Sequence, residues 1–148
     1  MVVIFLAGIS IFNVAFGLWV MVDPIAVMEW MLEMQNSSIP NRGEIQPATL
    51  GEFRALLGGL VLALGLVTLR SLWSPSYAAW LQPLAWCFLG LALARFSSLL
   101  IDGVSNYTII AASAEVATAW MLGVHAQRLQ SNDEQPDLDL TEEELEEY

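Results

Sequence analysis

Charged residues are scarce in this chain of 148 residues: they make up 14% of it, whereas soluble proteins carry about 25%. Only five residues are basic, which excludes a nucleic-acid-binding protein built on a basic face. Cys87 is the single cysteine, so a disulfide-stabilised scaffold is excluded as well. Hydrophobic residues, in contrast, make up 56% of the chain. This composition indicates a protein that lies in a lipid bilayer rather than an ordinary soluble globule.

The 16 acidic residues are unevenly distributed along the chain. Nine of them lie after Arg128, in a stretch without a basic residue, while the charges of the first 128 residues nearly cancel. Low hydrophobicity with charge of one sign is typical of a disordered, solvated tail. Thr141 and Glu144 form a capping-box pattern, so a short helix that folds against a basic partner is the alternative. We therefore divide the chain into a membrane domain, 1–128, and an acidic C-terminal tail, 129–148.

Four apolar runs have the length of membrane-spanning helices, at about residues 2–22, 50–71, 77–101 and 107–123. The first run shows neither the basic start nor the small-residue cleavage site of a signal peptide, so we favour a retained helix over that alternative. Thr49 and Glu52 form a capping box that predicts the start of the second helix. The short turn between the third and fourth runs predicts an antiparallel hairpin. The fold class is therefore all-α, an integral membrane four-helix bundle.

A short apolar segment follows the first span. Asp23 and Pro24 suit the N-cap and the first position of a helix that continues through Met34. We expect this helix to lie in the membrane interface, on the outer face of the membrane. A continuation of the first span past Pro24 is the alternative.

Glycines recur every seven residues on the second span, at Gly51, Gly58 and Gly65. In a bilayer, where lipid removes the hydrophobic drive between helices, small residues allow helix backbones to approach closely. We predict that these three glycines pack against a neighbouring helix.

Ionisable side chains within the spans are the most informative feature, because each costs about 2.5–3.5 kcal/mol on insertion scales. Counting from the turn of the hairpin at 1.5 Å per residue places Arg95 and Glu115 at matching depths of roughly 10–12 Å, which predicts that they pair. Four further residues on the same side of the bundle are candidates to join them: Arg54, Asp102, Glu52 and Ser98. The sequence leaves two interpretations open, a structural ion-pair network or a pocket that binds a small ligand or relays protons.

Residues for enzyme chemistry are sparse. His125 and Cys87 supply neither a metal-ligand set nor a nucleophile–base pair. The glycines lie within apolar runs and form no phosphate-binding or dinucleotide-binding motif. We therefore predict no catalytic residues, no metal and no cofactor, and favour a non-enzymatic protein.

Several short motifs over about residues 10–125 occur in the same order as in a known protein family. The motifs are Gly17-Leu18, Pro24, Arg54-Ala55, Gly58-Gly59, Ala94-Arg95, Ser98, Asp102-Gly103 and Glu115. In these motifs the chain resembles a family of small bacterial membrane proteins, domain of unknown function 4345. The resemblance implies a four-helix integral membrane protein in which Arg54, Arg95, Asp102 and Glu115 belong together. It implies no activity, and the acidic tail lies outside it.

Our leading hypothesis is an accessory or assembly subunit of a larger membrane complex, in contact with lipid and other membrane-protein subunits, whose acidic tail docks on a basic partner. The alternative is a binding or relay module in which Arg54, Arg95 and Glu115 hold the anionic or quinone-like headgroup of a lipophilic ligand. The expected location is the bacterial inner membrane. Arg70 and Arg128 fall on one side of the spans and Arg42 on the other, so the positive-inside rule favours cytoplasmic termini.

Overall fold

The computed structural model describes residues 1–38 and 45–133, which form helices and connecting turns. The helices are α1 (Val2–Val22), α2 (Pro24–Glu33), α3 (Pro47–Ser71), α4 (Leu81–Ile101) and α5 (Asn106–Asp133). A 3-10 helix, Pro75–Trp80, leads into α4, and the segment Arg54–Gly59 of α3 is π-helical. Within the described ranges, α1, α3, α4 with its preceding turn, and α5 are long and apolar enough to cross a membrane. The all-α fold with four membrane-spanning helices is confirmed.

The helical conformation is interrupted at Asp23, between α1 and α2. This residue leaves the helical conformation, with φ −133° and ψ 80°, and its Oδ1 accepts a hydrogen bond of 3.0 Å from the backbone N–H of Ala26. Pro24 takes the first helical position, where no N–H partner is needed. The predicted separate helix is confirmed, and the alternative of one helix continuing past Pro24 is wrong. The Trp30 ring of α2 packs against the Trp19 ring of α1, with centroids 5.7 Å apart.

Two helix boundaries differ from those predicted. Helix α3 begins at Pro47 with Gln46 as its N-cap, so the capping box predicted at Thr49 is wrong; a proline suits the first turn and starts the helix earlier. Helix α5 continues to Asp133, well beyond the end predicted near residue 123. The apolar run ends there, but no proline or glycine after Gly123 stops the helix before Asp133. The first residues of the predicted tail are therefore helical, and 134–148 lie outside the described residues.

Helices α1 and α3 run antiparallel with their backbones in close contact. A Cβ added at Gly17 would lie 2.7 Å from the backbone nitrogen of Leu62 and 2.8 Å from the carbonyl oxygen of Gly58. One added at Gly65 would lie 2.8 Å from the carbonyl oxygen of Ser10. The predicted packing role is therefore confirmed for Gly58 and Gly65, and Gly17 is their counterpart on α1.

The packing role predicted for Gly51 is wrong. This residue is exposed, and an added Cβ would meet nothing within 4 Å. The π-helical segment Arg54–Gly59 closes its hydrogen bonds over five residues rather than four, so it turns less per residue than an α-helix does. Residues seven positions apart lie on the same face of an α-helix. Because the π-helical segment lies between Gly51 and Gly58, these two glycines lie on different faces.

The bundle consists of two closely packed pairs, α1 with α3 and α4 with α5, which meet mainly at one end. Their shared core contains Leu6, Leu64, Leu72, Leu81, Leu84, Phe88, Leu122 and Ala126. These residues come from the start of α1, the end of α3, the start of α4 and the middle of α5, and we call this end the packed half. His125 is buried there, and its Nε2 lies 3.3 Å from the carbonyl oxygen of Leu72. The end that holds α2 and the α4–α5 turn is called the open half.

Candidate ligand-binding site

Arg95 of α4 and Glu115 of α5 form an ion pair in the open half. The Nε of Arg95 donates a hydrogen bond of 2.8 Å to Oε1 of Glu115, and the two side chains are 32% and 13% exposed. The guanidinium carbon also lies 5.8 Å from the ring centroid of Tyr107, within the range of a cation–π contact. The pairing predicted from the equal depths of the two residues is confirmed.

The turn that joins α4 to α5 sets these depths. Gly103 has φ +110°, a conformation that a residue with a Cβ rarely adopts, and it ends α4. Beside it, the Oγ of Ser98 donates a hydrogen bond of 2.6 Å to Oδ2 of Asp102. This contact is exposed and lies at the end of α4. Ser98 and Asp102 therefore satisfy each other, and the prediction that they join the Arg95 pair in one cluster is wrong.

Arg54 also lies apart from the ion pair. Its Nε donates a hydrogen bond of 3.2 Å to the carbonyl oxygen of Met21, in the last turn of α1, where a cation is favoured by the helix dipole. In the described part of the chain Arg54 forms no ion pair with Glu115 or Asp102. Because α3 packs against α1 rather than α5, the nearest acceptor is the end of α1. The predicted place of Arg54 in the cluster is wrong, and Glu52 is exposed beside it on α3.

A cavity of about 330 Å³ lies next to the ion pair, between the two helix pairs. All five helices contribute to its walls, which are mainly apolar and carry the aromatic rings of Phe12, Phe16, Trp30, Phe88 and Tyr107. Arg95 and Glu115 line its polar end, and Leu64, Phe88 and Thr118 line the end nearer the packed half. Apolar walls that converge on a few polar groups are typical of small-molecule sites.

The polar end has unused hydrogen-bonding capacity. Oε2 of Glu115 is buried and has no hydrogen-bond partner among the residues that the structure describes. Arg95 uses only its Nε in the hydrogen bonds of the described residues, so its terminal amino groups are free to donate. Thr118, in contrast, donates to the carbonyl oxygen of Ala114 on its own helix at 2.8 Å. Beside the cavity, Arg95 thus keeps donors, and Glu115 one buried acceptor, without partners in the described part of the chain.

Sequence reasoning missed most of the cavity wall. Tyr107 and the aromatic side chains of α1 and α2 were not among the predicted site residues, since an aromatic residue facing a cavity has the same pattern as one facing a core. The small side chains of Ala111 and Ala114, which line the cavity beside Glu115, are the only local signal. Within residues 1–38 and 45–133, no group of three His, Cys, Asp or Glu residues could hold a metal ion.

The fold and the site together define a four-helix membrane protein with a cavity between its helices. The family model for the domain of unknown function DUF4345 matches residues 1–125, and the chain belongs to this family. No match was found among curated proteins or among solved structures. The matched region includes Arg95, Glu115 and every residue that lines the cavity.

Proposed function

We propose that this chain is a non-enzymatic membrane protein that binds one lipophilic small molecule in the cavity of the open half. The apolar part of the ligand lies among the aromatic rings, and its polar end contacts Arg95 and Glu115. The observation that carries the proposal is the cavity itself, whose apolar walls end at an ion pair with a free buried acceptor. A site of this kind gives affinity through burial of apolar surface and orientation through a few polar contacts.

An occupant would stabilise the open half. Side chains around a void have no atoms opposite them and lose the dispersion contacts that a filled interior provides. At about 330 Å³ the cavity is roughly twice the size of an engineered cavity that binds benzene. A lipophilic molecule from the surrounding bilayer would restore those contacts without loss of its own apolar environment.

The shape of the polar region favours binding over a proton relay. A relay needs a continuous chain of polar groups across the bundle, whereas the wall beyond the ion pair has Asn13 and Thr118 among apolar residues such as Ile9, Leu64 and Phe88. In addition, Thr118 already donates its proton to a backbone carbonyl of its own helix. In the described part of the chain, no continuous hydrogen-bonded chain joins the ion pair to His125 in the packed half, because Thr118 and His125 each contact a backbone carbonyl.

Filling the cavity should displace the ligand. In the variant with Ala111→Leu and Ala114→Leu, two larger side chains would occupy space that now belongs to the cavity. We expect native mass spectrometry of the full chain, extracted in mild detergent, to show a bound small molecule at about one-fifth or less of the wild-type occupancy. The added side chains exclude a few methylene groups of the ligand from the cavity, and their burial contributes well over about 1 kcal/mol to the binding free energy.

Ala94→Leu is the matched control, because Ala94 is exposed on α4 beside Arg95 and does not line the cavity. It should leave the occupancy unchanged. Equal occupancy in the double variant and the control would mean that the molecule binds elsewhere, and a wild-type chain that carries none would contradict the proposal.

The accessory-subunit hypothesis stays a separate proposal, which the nine acidic residues after Arg128 support. We propose that both termini lie in the cytoplasm of a bacterial cell and that the tail contacts a basic surface of a partner protein. Deletion of 134–148 should then remove at least one co-purified protein, and so should replacement of the eight acidic residues in that range by their amides. Contacts of this kind weaken with salt, so co-purification that withstands both changes and high salt would contradict tail docking.

A further inference from the structure

We infer that the ligand of the cavity has an uncharged headgroup that both donates and accepts hydrogen bonds, such as a lipid alcohol or a hydroquinone, and that anionic headgroups are disfavoured. The inference rests on the proposed function, since it names the chemical class that the same site selects. It follows from the charge and the hydrogen-bonding capacity of the polar end.

The charge of the polar end is balanced. Arg95 is the only basic residue and Glu115 the only acidic residue that line the cavity in the described part of the chain, and their side chains are in contact at 2.8 Å. An anionic headgroup that reached the guanidinium would therefore also lie close to the carboxylate. In a low-dielectric site the repulsion offsets most of the attraction, and the cost of removing the anion from water is left uncompensated.

The hydrogen-bonding capacity requires a donor on the ligand. An ionised carboxylate only accepts hydrogen bonds, and Oε2 of Glu115 is buried without a donor among the described residues. A buried acceptor left without a partner is costly, so we expect the Glu115 carboxylate to turn toward the cavity and accept a hydrogen bond from the favoured ligand. The same ligand oxygen can accept from a terminal amino group of Arg95. A hydroxyl group satisfies both atoms, whereas a ketone, ester or ether satisfies only the arginine.

The size of the cavity limits the apolar part. About 330 Å³ gives room for one alkyl segment or one substituted ring. Phe12 and Ile110 of its wall are exposed, so the rest of a longer chain can extend out of the cavity. The aromatic rings of Phe16, Trp30 and Phe88 can pack against either a chain or a ring. We therefore assign the site to lipids that place one chain or one ring in the cavity, next to a hydroxylated head.

The test uses three photoreactive probes that share one hexadecyl chain bearing a diazirine and differ only in the head: an alcohol, its methyl ether, and a sulfonate that stays ionised at every working pH. Each is added to the full chain in phosphatidylcholine nanodiscs, and labelled peptides are quantified by mass spectrometry. We expect the alcohol to label peptides that contain cavity residues at least about fivefold more than the ether or the sulfonate does.

Replacement of Glu115 changes the charge of the site and tests its selectivity for the headgroup. If the ion pair had only a structural role, the ratio of sulfonate to alcohol labelling would not change. Glu115→Gln removes the negative charge and leaves Arg95 unbalanced, so sulfonate labelling should rise at least about threefold relative to alcohol labelling. Ser113→Ala and Ser97→Ala are the matched controls. Each serine is exposed, lies two residues from the pair on the same helix, and donates only to its own helix backbone, so selectivity should not change.

The possible outcomes separate the inference from the proposed function. Two contrary outcomes are equal labelling of the cavity by all three probes and strongest labelling by the sulfonate. If that labelling is lost in the variant with Ala111→Leu and Ala114→Leu, the result supports binding in the cavity and overturns the assignment of the headgroup. Labelling by no probe within the cavity would overturn the proposed function. If the Glu115→Gln variant fails to fold, the comparison of the three probes in the wild-type chain still decides the assignment.

Discussion

Replacement of Gly17 by alanine is expected to lower the free energy of unfolding by about 3 kcal/mol, at the upper end of the range for overpacked sites. The new Cβ would lie 2.7–2.8 Å from atoms of Gly58 and Leu62, including a backbone nitrogen and a backbone oxygen. Backbone atoms cannot rotate away as the end of a side chain can, so α1 and α3 must separate. Unfolding in mixed micelles with increasing fractions of SDS measures the change.

Gly8→Ala is the matched control for this substitution, because it adds the same methyl group to the same helix. An added Cβ at Gly8 would meet nothing within 4 Å, so the variant should be as stable as the wild type or slightly more stable. Equal stability of the two variants would show that α1 and α3 do not approach at Gly17 as described.

Replacement of Arg95 alone by leucine is expected to cost about 3 kcal/mol of stability, because removal of one member of a buried ion pair leaves an uncompensated charge. In this variant both carboxylate oxygens of Glu115 would lack a partner, since Oε2 has none among the described residues even in the wild type. The same micelle titration measures the loss. It should be accompanied by loss of the bound small molecule.

The variant with both Arg95→Leu and Glu115→Leu should regain most of that stability, because apolar pairs often replace buried ion pairs at little cost. It should still fail to bind the ligand, which separates the structural role of the pair from its role in binding. Arg54→Leu is the comparison: it loses one exposed hydrogen bond to Met21 and should cost about 1 kcal/mol or less while binding is kept. A double variant that binds normally would contradict the proposed site.

The pairing of Arg95 with Glu115 could be predicted because it depends on local geometry. Both residues lie on helices that share one short turn, so counting residues from that turn fixes their relative depth. The place of Arg54 could not be predicted in the same way. Its acceptor, the carbonyl of Met21, is 33 positions away in the sequence and reaches it only because α1 and α3 pack through glycines.

The remaining errors have identifiable physical causes. Hydropathy marks where a helix leaves lipid and not where it ends, which is why α5 extends to Asp133 beyond its apolar run. The π-helical segment Arg54–Gly59 changes the helix register with no sequence signal, which removes Gly51 from the packed face. The cavity depends on how far two helix pairs diverge, a quantity that no single helix encodes.

The division of the bundle into a packed half and an open half has a mechanical consequence. The leucines at one end join α1, α3, α4 and α5, whereas around the cavity the same helices have fewer neighbours. Regions with few buried contacts deform most easily. We therefore expect ligands of different width to displace the helix ends near α2 more than the leucine-rich end, without expansion of the whole bundle.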